Sequence, residues 1–301
     1  MIIKDLPEKE LICQLTTAGL RFEAGSYAVK LSSNIVSVAR GIKKLYRNAA
    51  IVDGMVDFNV SLQRSSGIRG LLKPQVQFSF NGIEPFSPLP CAQAFPLFEW
   101  GLNWCVTSHD HRYLIIHAAV VEKNGKALIL PGSPGAGKST LCAALVELGG
   151  WRLLSDELTM VNINDSYIHP NPRPISLKNQ SIDLIKSYIG NDPFSSVVKD
   201  TIKGSVAHVR APSESLKAKS ELAIPSIVVY PKFQRNIENR LNELSKGESF
   251  MRLAENSFNY NVLANDGFCA LGKLHDQVEC FSFHYDGNLE YAIRVMDSLV
   301  E

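Results

Sequence analysis

Residues 132–139 read GSPGAGKS, which satisfies every fixed position of the pattern GxxxxGK[ST], and Thr140 follows. The apolar run KALILP precedes this segment and a helical pattern follows it, which is the context that a phosphate-binding loop requires. With glycine at about 7% of residues, a chance match is expected in about one unrelated chain of this length in a hundred. The sequence therefore predicts a strand, a phosphate-binding loop and a helix, in that order.

Each residue type in this loop has a physical role. Glycines let backbone N–H groups curl around phosphate oxygens, and the helix that begins near Lys138 directs the positive end of its dipole at them. Lys138 is expected to neutralise the β- and γ-phosphates, and the Ser139 hydroxyl to ligate Mg²⁺. We therefore expect ATP and Mg²⁺ as ligands, although such a loop reads phosphates and leaves the choice between ATP and GTP open. The predicted nucleotide-binding residues are Gly132, Ser133, Pro134, Gly135, Ala136, Gly137, Lys138, Ser139 and Thr140.

Two adjacent carboxylates follow the next predicted strand. The segment WRLLS at 151–155 runs into Asp156 and Glu157, shortly after the loop. In phosphoryl transfer, one acid can hold magnesium while the other accepts a proton from the attacking hydroxyl. An isolated Asp-Glu pair would more often be a turn cap beside a solvated side chain, but the position of this pair favours a functional role. We expect one of the two to be the general base and the other to share the metal with Ser139, and the position favours a functional role more strongly for Asp156 than for Glu157.

Three cationic or titratable side chains are further candidates. His117 lies in the apolar segment IIHAA, where a lone histidine is more often a core residue than a catalyst. Arg173 lies in HPNPRPISLK, an irregular stretch ahead of a helix, and Arg210 lies in IKGSVAHVRAP, a loop that leads into a strand. A phosphoryl-transfer site needs cations beyond the loop lysine, and the guanidinium fork matches phosphate oxygens. We expect both arginines to supply this charge, the alternative being basic side chains in solvated loops.

These segments resemble the HPr kinase/phosphorylase superfamily, whose catalytic domain shares a fold with bacterial phosphoenolpyruvate carboxykinases. The segments IIHAAVV, KALILPGSPGAGKSTL and GGWRLLSDEL stand here in the order of that family. The chain is more similar still to the branch of HPr kinase-related kinases, through PFSPLP at 85–90 and FEWGLNWC at 98–105. The resemblance implies a PEP-carboxykinase-like P-loop kinase core. It also implies that Asp156 activates the acceptor hydroxyl, which leaves Glu157 to share the metal with Ser139, and that His117 lies close to the active site.

Two departures from the family pattern limit what the resemblance implies. Thr140 stands where the family usually has an acidic residue, and Glu157 stands where it usually has a second Asp. No counterpart of the later segment associated with the reverse, phosphorolytic reaction is evident. Neither phosphorylase activity nor HPr itself as the substrate is therefore expected.

The leading hypothesis is an ATP- and Mg²⁺-dependent kinase that acts on a hydroxyl of a protein, a peptide or a small molecule. One alternative is a nucleotide-binding regulatory module, which would not need the base Asp156. A second is an NTPase, which would usually place its Walker-B strand farther along the sheet. A carboxykinase would need a second metal and further basic residues around its substrate. The sequence does not identify the acceptor.

Composition sets the class of protein. A net charge of +1 gives no reason to expect nucleic acid or a membrane as a partner. The six cysteines are scattered, and the N-terminus lacks the features of a signal peptide, so we expect a cytoplasmic protein. Alternating strand and helix patterns predict an α/β protein with a mixed central sheet. We expect a strand-rich α+β N-terminal module at 1–108 and a P-loop kinase-like catalytic domain at 109–301. A homo-oligomer is compatible with this organisation.

Overall fold

A computed structural model describes residues 1–65 and 73–301 of the chain. The helices are α1 (Glu8–Thr16), α2 (Val36–Leu45), α3 (Ala94–His109), α4 (Lys138–Glu147), α5 (Gln180–Ile189), α6 (Ser213–Lys217), α7 (Lys246–Glu255), α8 (Tyr260–Leu263), α9 (Asn265–Gln277) and α10 (Leu289–Ser298). Within the described ranges, no helix combines the length and the apolar character needed to cross a bilayer.

The strands alternate with these helices along the chain. They are β1 (Leu20–Ala24), β2 (Tyr27–Ser33), β3 (Phe58–Arg64), β4 (Gln75–Phe80), β5 (Leu89–Pro90), β6 (Tyr113–Ile116), β7 (Ala118–Lys123), β8 (Lys126–Pro131), β9 (Arg152–Ser155), β10 (Thr159–Asn162), β11 (Ile168–His169), β12 (Ile175–Lys178), β13 (Val198–Thr201), β14 (Gly204–Val209), β15 (Ile224–Phe233), β16 (Arg240–Glu243) and β17 (Glu279–Tyr285). The predicted α/β class is confirmed.

The described residues group into two compact units. The first contains Met1–Val106 and Ser176–Leu216, and the second contains Thr107–Ile175 and Lys217–Glu301. In the first unit, a five-stranded sheet has the order β1-β2-β3-β4-β5, and a three-stranded sheet has the order β12-β14-β13. Strands β1 and β2 form a hairpin, because they pair antiparallel around Gly25, which has a φ of 68°.

The predicted domain boundary at residue 108 lies close to the division after Val106, but the segment Ser176–Leu216 groups with the first unit. The sequence analysis had assigned this segment to the catalytic domain. Its contacts inside the first unit account for the difference. The His208 ring packs edge-on against Phe95 at 5.5 Å, and the side-chain amide of Gln93 donates to the Asp200 carbonyl at 2.9 Å.

The second unit is built on a mixed six-stranded sheet with the order β16-β17-β15-β8-β7-β9. Strands β17, β15 and β8 are mutually parallel, and β7 is antiparallel to both β8 and β9. Strand β9 therefore runs in the same direction as β8. The carboxyl ends of β8, β9, β15 and β17 consequently meet at one edge of the sheet, together with the first residue of β7. We call this the loop edge.

Two of these strands bend and continue into a second sheet. Strand β6 leads through His117 into β7, and β9 leads through residues 156–158 into β10. Strands β6 and β10 pair antiparallel in a three-stranded sheet with the order β11-β10-β6. The Thr159 hydroxyl donates to the Ala118 carbonyl at 3.1 Å, which holds the two bends side by side. The run at 113–121 thus forms two strands with a break at the histidine.

A buried polar cluster fastens helices α7 and α9 to strand β15. The Tyr230 hydroxyl donates to the Ser249 carbonyl at 2.9 Å, and His275 Nε2 lies 3.1 Å from Ser249 Oγ. His275 Nδ1 lies 3.1 Å from the Leu271 carbonyl. Since Ser249 is fully buried and His275 nearly so, these bonds satisfy polar groups that water does not reach.

This cluster predicts an acid-sensitive fold. Burial lowers the pKa of His275, so the unfolded chain binds a proton that the folded chain resists. The free energy of unfolding should therefore fall as the pH drops below about 6.5, by at most about 1.4 kcal/mol per pH unit for this histidine. Urea denaturation between pH 8 and 5 measures this. The free energy of unfolding should fall less steeply with decreasing pH in His275→Gln than in wild type. The exposed His111→Gln serves as the control, and equal slopes in wild type and His275→Gln would contradict the prediction.

Candidate active site

The predicted phosphate-binding loop joins β8 to α4 at the loop edge. Gly132, Gly135 and Gly137 have φ values of 146°, 88° and 95°, in the region that L side chains rarely adopt. Gly137 is the N-cap of α4, so the helix begins at Lys138 as predicted. Its first backbone N–H groups have no intrahelical partner, and the loop presents them toward the place where phosphate oxygens would lie.

The Lys138 side chain folds back over the loop. Its Nζ donates to the Gly132 carbonyl at 2.5 Å and to the Ser133 carbonyl at 3.3 Å. The residue is only 8% exposed, which is unusual for a lysine. The ammonium group is therefore held inside the curve of the loop, where it would meet the β- and γ-phosphates.

Two aromatic residues at the loop edge form hydrogen bonds to the backbone of the loop. The Phe233 backbone N–H, at the end of β15, donates to the Ala136 carbonyl at 3.1 Å. The Tyr285 hydroxyl, at the end of β17, donates to the Gly137 carbonyl at 3.4 Å. Burial raises the pKa of Tyr285, so its hydroxyl stays protonated and remains a donor. The loop conformation thus depends on β15, the parallel neighbour of β8, and on β17, the parallel neighbour of β15.

Asp156 and Glu157 begin the bend that follows β9. Ser155 pairs with Val120, and Ala118 on the same strand pairs with Pro131, so the bend lies across one strand from the start of the loop. Asp156 is 5% exposed, whereas Glu157 is half-buried. Burial raises the pKa of Cys142 on α4, and the charge of Asp156 adds to this shift, which places the carboxylate near the first turns of the loop helix.

His117 occupies the other bend at the loop edge. It directly precedes Ala118, the residue that pairs with the last residue of β8. Its backbone N–H donates to the Asn256 carbonyl at 2.7 Å, and its half-buried ring lies 5.3 Å from the Phe258 ring. Strand register therefore brings His117, Asp156 and the loop to one edge of one sheet, although they are far apart in sequence.

The two predicted arginines lie in different units. Arg173 is in the second unit, is 8% exposed, and follows Asn171, whose N–H donates to the Leu154 carbonyl at 2.7 Å. This bond places the segment that carries Arg173 beside β9.

Arg210 is in the first unit and has a local ion-pair partner. Its guanidinium donates to Asp192 Oδ2 at 2.9 Å and to the Lys44 carbonyl at 3.5 Å. The hydrogen bond that Arg210 donates to Asp192, together with the positive charge of Arg210, lowers the pKa of Asp192. These contacts of Arg210 lie inside its own unit, and its contribution to the site stays a prediction.

Ser139 and Glu157 fit the predicted magnesium site chemically. Among residues 1–65 and 73–301, no three His, Cys, Asp or Glu side chains form a metal-binding group. A magnesium ion that binds with a nucleotide does not need such a group, because phosphate oxygens and waters fill most of its coordination shell. Both predicted ligands are half-buried oxygen donors in the second unit, one in the first turn of α4 and the other in the bend after β9.

The geometry of Lys138 predicts its effect on binding. Hydrogen bonds to charged groups contribute about 1.5–3 kcal/mol, so Lys138→Ala should weaken Mg-ATP binding by about 10- to 150-fold. Isothermal titration calorimetry measures this directly. Lys9→Ala, which removes an exposed lysine of α1, is the matched control and should bind as wild type. Equal affinities of wild type and Lys138→Ala would contradict the assignment.

Comparison with known proteins gives a partial match at this site. A family model described as SynChlorMet cassette protein ScmC matches residues 102–183. The matched segment is less than a third of the chain, but it contains the loop, His117, Asp156 and Arg173. No curated protein matches the chain.

The residues that support the site carry no local sequence signal. No motif marks Tyr285 and Phe233 as neighbours of the loop. Asn256 and Phe258, which contact His117, likewise lie outside every motif. Only the parallel order β17-β15-β8 makes the two aromatic residues part of the site, and that order is a property of the fold.

Proposed function

We propose that this protein is an ATP- and Mg²⁺-dependent kinase that transfers the γ-phosphate to a hydroxyl group. The observation that carries the proposal is the shared loop edge, where the phosphate-binding loop, Asp156 and His117 meet. A nucleotide held by the loop would present its γ-phosphate toward this edge. A buried carboxylate at the same edge suits a base that takes a proton from an acceptor hydroxyl.

The chemistry assigns each residue a role. The loop N–H groups and Lys138 hold the phosphates, and magnesium held by Ser139 and Glu157 would neutralise charge on them. Asp156 accepts the proton of the acceptor hydroxyl while the oxygen of that hydroxyl forms a bond to the γ-phosphorus. The bond from that phosphorus to the bridging oxygen breaks, and ADP leaves. Arg173 and His117 would stabilise charge on the transferring group.

The proposal extends to the class of protein. We propose a PEP-carboxykinase-like P-loop core and kinship with the HPr kinase/phosphorylase superfamily, on the order of the motifs along β7, the loop and β9. The acceptor would be a protein, a peptide or a small molecule, and a cytoplasmic location would supply the ATP.

The test is transfer of label from γ-³²P-ATP with magnesium to a cell extract separated into protein and small-molecule fractions. Wild type should label a component of one fraction, and Lys138→Ala should not. Label in one fraction that depends on Lys138 would identify the acceptor class. Tight ATP binding without label in either fraction would replace the kinase proposal with a nucleotide-binding regulatory module.

A further inference from the structure

We infer that the exposed face of the Phe233 ring is the stacking platform for the base of the bound nucleotide. The inference rests on the proposed nucleotide binding but not on phosphoryl transfer. Phosphates and magnesium are accounted for by the loop, Ser139 and Glu157, whereas none of these groups offers a planar aromatic surface for a base. The base needs an apolar surface of its own within reach of the loop.

Phe233 has the required position. It is the last residue of β15, the parallel neighbour of β8, so it reaches the loop edge beside the phosphate-binding loop. Its N–H bond to Ala136 ties its backbone directly to the loop. A base connected to loop-bound phosphates through a ribose would therefore lie within the range of this side chain.

The ring is held firmly on one side. It packs against Tyr285, with ring centroids 5.8 Å apart, and Tyr285 in turn stacks on Phe283 at 5.3 Å with an interplanar angle of 8°. Gly287 also approaches it, since a Cβ added there would lie 2.9 Å from Phe233 Cε2. A ring fixed in this way loses little conformational entropy when a ligand stacks on it.

The Phe233 side chain is nevertheless accessible. Phe233 is 39% exposed, although Tyr285, which packs against it, is 1% exposed. Aromatic rings prefer offset-stacked or edge-to-face partners, and a nucleobase is a planar ring that can stack in this way. Because every base has such a face, stacking on Phe233 would favour nucleotides over bare phosphates without selecting one base.

The test compares Mg-ATP with magnesium tripolyphosphate, which offers the same kind of phosphate chain without a base. By calorimetry, Phe233→Ala should weaken ATP binding by about fivefold to 150-fold and leave tripolyphosphate binding unchanged. Phe233→Leu keeps the apolar volume without the π-face and should also weaken ATP selectively, whereas Phe233→Trp should retain binding. Phe268→Ala, which removes a 56% exposed phenylalanine of α9, is the control and should bind both ligands as wild type.

Each outcome distinguishes the two proposals. Equal weakening of both ligands in Phe233→Ala would mean that the ring only supports the loop, and unchanged ATP binding would mean that no base stacks there. Either result overturns the stacking inference and leaves the kinase proposal standing. A wild-type protein that binds neither ligand would overturn both. Selective weakening of ATP in a protein that transfers no phosphate would support stacking and overturn only the kinase proposal.

Discussion

Asp156→Asn should transfer the γ-phosphate about 10²- to 10⁴-fold more slowly than wild type, which is the usual contribution of a general base. Asparagine has nearly the same shape as aspartate but cannot accept the proton of the acceptor hydroxyl. Because Asp156 is 5% exposed at the end of β9, water cannot readily replace it as the base. Binding of Mg-ATP should persist, since the loop and Lys138 hold the phosphates.

The rate is measured at saturating ATP with the acceptor fraction that wild type labels. Asp266→Asn, an exposed aspartate in the first turn of α9, is the matched control and should transfer at the wild-type rate. Calorimetry confirms that each variant still binds nucleotide. Transfer at the wild-type rate by Asp156→Asn would remove the carboxylate from the mechanism.

Gly137→Ala should lower the free energy of unfolding by about 2–5 kcal/mol and abolish tight ATP binding. A φ of 95° costs a residue with a Cβ about 1–2 kcal/mol. The added Cβ would also overlap the Tyr285 hydroxyl, and overpacking of this kind costs about 1–3 kcal/mol. Tyr285 is buried and stacked on Phe283, so it cannot move aside without disturbing β17.

Two further variants separate the causes. Gly135 has a similar φ of 88°, but no atom lies within 4 Å of an added Cβ, so Gly135→Ala should show only the conformational cost. Gly137→Ala combined with Tyr285→Phe removes the overlapping hydroxyl and should recover part of the lost stability. Urea denaturation measures all three. Equal losses for Gly135→Ala and Gly137→Ala, with no recovery in the double variant, would contradict the packing of Tyr285 under the loop.

The local elements of the site could be predicted from sequence because their signals are local. The glycine pattern with an apolar run before it fixed the positions of β8, the loop and the start of α4. Apolar and polar residues alternate along Gln75–Phe80, which forms β4, and the Asn81-Gly82 pair that follows has positive φ at both residues, as a tight hairpin turn needs. These features depend on neighbouring residues only.

The relations between elements could not be predicted in this way. The run YLIIHAAVV is apolar on both sides of His117 and has no turn residue, so it does not indicate that the chain changes sheets there. That break depends on β10, which pairs with β6 from a segment more than forty residues away. The grouping of Ser176–Leu216 with the first unit, and the position of Tyr285 under Gly137, likewise follow from long-range pairing.

The most direct test of the account is the chemical form of the transferred phosphate. Wild-type protein is incubated with γ-³²P-ATP, magnesium and the fractionated extract, and the labelled products are separated after mild acid treatment. The account predicts label in an acid-stable phosphate ester of a hydroxyl, formed together with an equal amount of ADP. Label recovered only as inorganic phosphate, or only as unchanged ATP, would contradict it.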